Sequence, residues 1–121
     1  MSAMKRIVVV LCSLALLPLA GCSSGTDFDC ADYAQAMGRI FQREYGYRPT
    51  AAEIRSARSA CESNKSNLEH WIPDLKDNGW TIPESSTGRA TLVACLSFAM
   101  ADQGAEQGYR CIRDLVPGAR P

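Results

Sequence analysis

Four cysteines, Cys30, Cys61, Cys95 and Cys111, stand at spacings of 31, 34 and 16 in the last hundred residues of this 121-residue chain. A domain of that size buries too little apolar surface to be more than marginally stable by packing alone. Cross-links are the natural remedy when the chain folds in an oxidising compartment. A metal site is a poor alternative, because no Cys-x-x-Cys pair supplies closely spaced thiolates. A reactive thiol needs a base nearby, and the chain has one histidine, His70. An even number of cysteines in an exported domain reads as two disulfides, with no metal ligands.

The export signal comes first in the chain. Lys5 and Arg6 precede Ile7 to Leu17, an eleven-residue run that is apolar but for Ser13. A membrane-spanning helix needs roughly 20 such residues, so this run is too short. It matches the apolar core of a secretory signal peptide, about 7–15 residues behind a basic start. Small residues then follow in Leu19-Ala20-Gly21, with Cys22 directly after them.

The sequence Leu-Ala-Gly-Cys, ending an apolar run at this depth, resembles the lipobox of bacterial lipoproteins. The resemblance covers residues 1–22 only. It implies that the Cys22 sulfur carries a diacylglycerol and that the chain is cut before Cys22. It also implies that the freed amino group can take a third acyl chain such as palmitate. One acyl chain holds only marginally, whereas two or three hold a protein stably at a membrane. Ser23 rather than Asp follows the cysteine. For a Gram-negative host the resemblance then implies the outer membrane.

The chain therefore divides into a signal peptide, 1–21, a lipidated cysteine with a flexible tether, 22–28, a helical domain, 29–116, and a frayed tail, 117–121. Losing Lys5 and Arg6 with the signal leaves eleven basic and thirteen acidic side chains. No basic patch stands out, so nucleic acid is not an expected partner.

Helical periodicity dominates the domain. Tyr33, Met37, Ile40 and Phe41 share one face of a helix over 29–45, capped by Asp29 or Asp27 and stopped by Gly46. Thr50-Ala-Ala-Glu53 is a capping box that opens a second helix, with Cys61 on its apolar stripe. Ser66-Asn-Leu-Glu69 reads as another capping box before a short helix that Pro73 interrupts. Residues 80–88 read as loop, 89–103 as the most apolar helix, and 109–116 as a last short helix. No segment shows strand alternation. The expected fold is all-α, a small disulfide-stapled bundle of three to five helices.

Three disulfide connectivities are open. Sequential pairing, Cys30–Cys61 with Cys95–Cys111, fits two helical hairpins, one turning near Arg48 and the other near Gly104. If instead the last helix ran straight through Gly104, Cys95 and Cys111 would lie about 24 Å apart. That far exceeds the Cα limit of about 7 Å. Cys61–Cys95 with Cys30–Cys111 would then take over.

Nothing in the sequence names a reaction. His70 lies beside Trp71, and no nucleophile elbow or phosphate loop accompanies it. Glu53, Glu62, Glu69 and Asp74 fall on exposed-looking helical positions rather than in a facing carboxylate pair. The expected protein is not an enzyme and needs no cofactor. Tyr47, Trp71 and Trp80 are the candidate contact residues, since aromatic side chains near turns dominate binding surfaces. The leading expectation is a lipid-anchored interaction module that docks to another envelope protein. The alternatives are a binder of a small ligand or envelope polymer, and a lipoprotein that blocks phage or plasmid entry.

Overall fold

The computed structural model describes residues 26–121. The segment expected to be a signal peptide, Cys22 and residues 23–25 of the expected tether lie outside the described residues. Helices account for about three quarters of the described residues, and the only β pairing among them is one isolated bridge, between Thr81 and Arg120. The domain is all-α, with two disulfides.

Helix α1 (Cys30–Tyr45) starts where Asp29 turns extended and its carboxylate accepts the Ala31 N–H. It ends at Gly46, whose φ of 65° is a left-handed conformation that costs glycine little. Its inner face is built from Tyr33, Ala34, Ala36 and Ile40. Helix α2 (Ala51–Ser63) opens with the expected capping box. The Glu53 N–H donates to Thr50 Oγ1 at 3.2 Å, and the Thr50 N–H donates to Glu53 Oε1 at 2.9 Å. This helix buries only Cys61 fully and packs on α1 alone among the longer helices. Gly38 lets the two come close: a Cβ there would stand 2.9 Å from the Ile54 side chain. The Cys30–Cys61 bridge closes the hairpin, with its Cα atoms 5.6 Å apart.

Helices α3 (Lys65–Glu69) and α4 (Trp71–Asp77) are one rod bent at His70. Pro73 explains the bend. It has no N–H to give the Glu69 carbonyl, and its ring crowds that carbonyl. The expected second capping box does not form. The helix already starts at Lys65, Asn64 provides no side-chain cap, and Ser66 sits inside the first turn.

Helix α5 (Ser86–Phe98) is the axis of the domain. Ala90, Leu92, Val93, Ala94 and Cys95 have no exposed surface, so the helix is enclosed on all sides. It begins three residues before the expected start, because Ser85 caps it by accepting the Gly88 N–H at 2.9 Å. A π-helical turn, Ala99–Gln103, then leads to Gly104, at a φ of 86°. The chain reverses there into helix α6 (Gly104–Leu115).

This last helix is longer than expected. Gly108 does not weaken it. It is buried in the helix, where a Cβ would stand 2.6 Å from the Ala99 Cβ. Its missing side chain lets the reversed helix close on the chain it has just left. Gly104 thus decides the connectivity: Cys95 and Cys111 face each other with Cα atoms 5.6 Å apart. Sequential pairing is the one observed.

Two boundaries differ from those expected. Phe28, assigned to the tether, is buried in the core. Residues 117–121 are not frayed: Ala119 is buried, and Thr81 and Arg120 exchange two backbone hydrogen bonds, 2.8 and 3.3 Å. The apolar Val116 and Ala119 draw this segment onto the core.

Candidate functional site

The three candidate contact residues do not form one site. Tyr47 follows the Gly46 turn, and its hydroxyl donates to Glu53 Oε1 at 2.5 Å. It lines a cleft of about 150 Å³ with Met37, Phe41 and Ile54, between α1 and α2. Trp71 is half-buried and packs against the core, so it serves the fold. Trp80 follows Gly79 and stacks on Tyr109 of α6, with ring centroids 5.9 Å apart and planes 15° apart.

That stacked pair stands over an open apolar groove of about 320 Å³ between α4, α5 and α6. Leu75, Leu96, Ala99 and Ile112 form its sides, and Met100 rises at its edge. Met100 is 73% exposed and Tyr109 57% exposed, so two large apolar groups meet water at one spot. Neither Met100 nor Tyr109 was singled out from the sequence. Met100 read as the edge of a core helix, and Tyr109 as the start of the last helix. The missing signal was the reversal at Gly104, which brings Tyr109 back beside Trp80.

On the other side of the Trp80–Tyr109 pair, the groove continues as a broader one of about 780 Å³, with charged side chains among apolar ones. Arg110, Arg113 and Arg120 line it, with Glu106 as the acidic side chain among the described residues. Glu106 reaches Arg110 only at 3.7 Å. Arg113 is bonded to Asp114, which also holds Arg43.

A third region is where the chain enters the domain. The Asp27 carbonyl accepts from the Arg89 Nε at 2.5 Å, and the Asp29 N–H donates to Ser86 Oγ at 2.8 Å. Arg89 is only 9% exposed and also binds the carbonyls of Pro83 and Glu84. One guanidinium thereby ties the incoming segment to the loop before α5. The Lys65 ammonium bridges Asp27, at 3.0 Å, and Glu69, at 3.7 Å. Glu69 is thus half-buried and engaged, not on an open helical face as its spacing suggested.

The two carboxyls respond oppositely. Lys65 foremost, with a hydrogen bond from Glu69, holds Asp27 below its ordinary 3.8. Burial first, and then the hydrogen bond to Asp27, pushes Glu69 above its ordinary 4.5. The Glu69 contribution to stability is full below 4.5 and is lost as pH rises through its raised value. The Asp27 contribution is full above 3.8 and is lost as pH falls through its lowered value. The contact is therefore strongest between those two values. Glu69→Gln keeps a donor at every pH. We expect the stability difference between about pH 4 and about pH 7 to shrink in that variant, read as urea midpoints. A slope equal to that of the parent contradicts the shared proton.

His70 is exposed at the α3–α4 bend. Among the described residues, no group of three or more His, Cys, Asp or Glu side chains is placed to hold a metal ion. No helix among them is long and apolar enough to cross a membrane. No protein family, no curated protein and no solved structure matches the chain.

Proposed function

We propose that this protein is a bacterial lipoprotein whose helical domain is a non-enzymatic docking module in the cell envelope, anchored through Cys22. The observation that carries the docking half is the Trp80–Tyr109 stack beside the exposed Met100, over an open apolar groove. Stacked aromatic rings bring large contact area with little rotamer freedom left to lose, and such residues concentrate binding energy. The groove also suits a partner because it is shallow and open.

The anchoring half rests on the leader, Lys5 to Cys22. The entry segment supports it. Phe28, Arg89 and Lys65 clamp the chain from Asp27 onward, so only a few residues separate the folded domain from Cys22. Those residues are Ser23, Ser24, Gly25 and Thr26, all of them small.

The test of the anchor is metabolic labelling with an alkyne-bearing palmitate, with cell fractionation beside it. The parent chain takes up label and sediments with membranes. Cys22→Ser does neither, since it offers no sulfur for the diacylglycerol. Unlabelled parent chain, or a Cys22→Ser chain that still sediments with membranes, overturns the anchor.

The enclosed pocket that a small-ligand binder needs would bury most of its ligand. The widest groove is instead open, with arginines set among apolar side chains. That favours docking over the ligand-binding alternative.

A further inference from the structure

The docking reading leaves the partner's chemistry open, and the charge around the groove narrows it. We infer that the groove takes a protein segment that places an apolar side chain beside Met100 and Tyr109 and acidic side chains along α6. This rests on the docking reading above.

The two halves of the groove are continuous. Trp80, Tyr109 and Ile112 line both. The first half is apolar and holds no charged side chain among the described lining residues. In the second half Arg113 is held by Asp114, which leaves the guanidinium groups of Arg110 and Arg120 as those without a close carboxylate.

The internal pairing leaves this charge available. Arg120 has no carboxylate partner among the described residues; its backbone, not its side chain, is fixed by Thr81. Arg110 is 46% exposed; its ion pair with Glu106 is long, at 3.7 Å, the Glu106 side chain is 85% exposed, and Asp114 feels Arg110 only through space. An exposed pair of that kind contributes little and is readily exchanged for a better partner.

A bound segment therefore meets an apolar socket and then a basic rim. That is the arrangement in which the apolar centre gives affinity and the charged rim gives orientation and specificity. Guanidinium groups favour carboxylates because their fork can donate two hydrogen bonds at once. A basic or neutral segment would leave the rim uncompensated.

The test uses the full-length chain in lipid nanodiscs, screened against a random twelve-residue peptide library. Two variants run beside it: Arg110→Glu with Arg120→Glu, and Met100→Asp. All three residues are exposed, and thermal melting confirms that each variant keeps its fold. The expected peptides combine an aliphatic or aromatic residue with two or more carboxylates. Charge reversal weakens them at least about tenfold, and so does raising the salt several-fold, because rim charges are screened. Met100→Asp weakens them as well.

Enriched peptides without carboxylates, or ones that charge reversal leaves unchanged, overturn the acidic chemistry and leave docking at the groove standing. Peptides that ignore Met100→Asp, or a library with no enrichment, overturn the groove as a docking site. Self-association of the parent chain that Met100→Asp abolishes makes the occupant a second copy, and that too overturns the inference.

Discussion

Reduction of both disulfides unfolds the domain at ambient temperature. In the chain-entropy model, the 16-residue Cys95–Cys111 loop contributes about 3 kcal/mol and the 31-residue Cys30–Cys61 loop about 4 kcal/mol. Small domains have about 5–15 kcal/mol in total, and this one has a short core. Losing both cross-links removes a share comparable to the whole.

The two bridges act in different places. Cys95 and Cys111 are fully buried where α5 and α6 meet, so replacing both with alanine loosens the centre. Cys30 and Cys61 fasten α2, which otherwise rests on α1 where Ile54 meets Gly38. Replacing that pair with alanine frees α2 while α1, α5 and α6 hold together. Hydrogen exchange reads the difference: loss of protection confined to α2 in one pair, spread through the domain in the other. A urea midpoint unchanged by reduction contradicts this account of stability.

Phe98→Ala destabilises the domain by about 3–5 kcal/mol. Phe98 is the last residue of α5 and is 3% exposed. Its ring meets Tyr45 edge-on, with centroids 6.1 Å apart and planes at 65°. It fills the space where the end of α1 crosses the start of the π-helical turn, and a main-chain reversal limits how far that space can collapse. Tyr45→Ala is the matched control, since Tyr45 is 52% exposed. It costs on the order of 1 kcal/mol, through the lost ring contact. Equal effects from the two substitutions, measured as urea midpoints, contradict the placement of Phe98 as core.

Much of this architecture is written locally. Asp29, the Thr50–Glu53 box and the Gly46 stop each act through neighbours within four residues, so their chemistry is readable in order along the chain. Ser85 was not readable in the same way, because Ser85-Ser86-Thr87-Gly88 has the composition of a loop and only the Gly88 N–H shows which serine caps. Gly108 acts for a tertiary reason. A glycine in a helix ordinarily weakens it, and here its absent side chain is what admits Ala99.

The candidate site was the least legible part. Trp80 was recognisable as an aromatic on a loop. Its partner Tyr109 lies on a different helix, and only the Gly104 reversal joins them. The Asp27–Lys65–Glu69 contact was hidden similarly, since Asp27 read as tether or helix cap and only the fold brings Lys65 to it.

Docking through the Trp80–Tyr109 groove is the central claim, and crosslinking in intact cells tests it most directly. A photoreactive amino acid replaces Tyr109 in one strain and Arg58, on the open face of α2, in another. The account predicts that one envelope protein crosslinks at position 109 and not at position 58, and that Trp80→Ala or Cys22→Ser removes the product. The same crosslinks from both positions, or none from position 109 in cells that carry the folded and anchored chain, would contradict it.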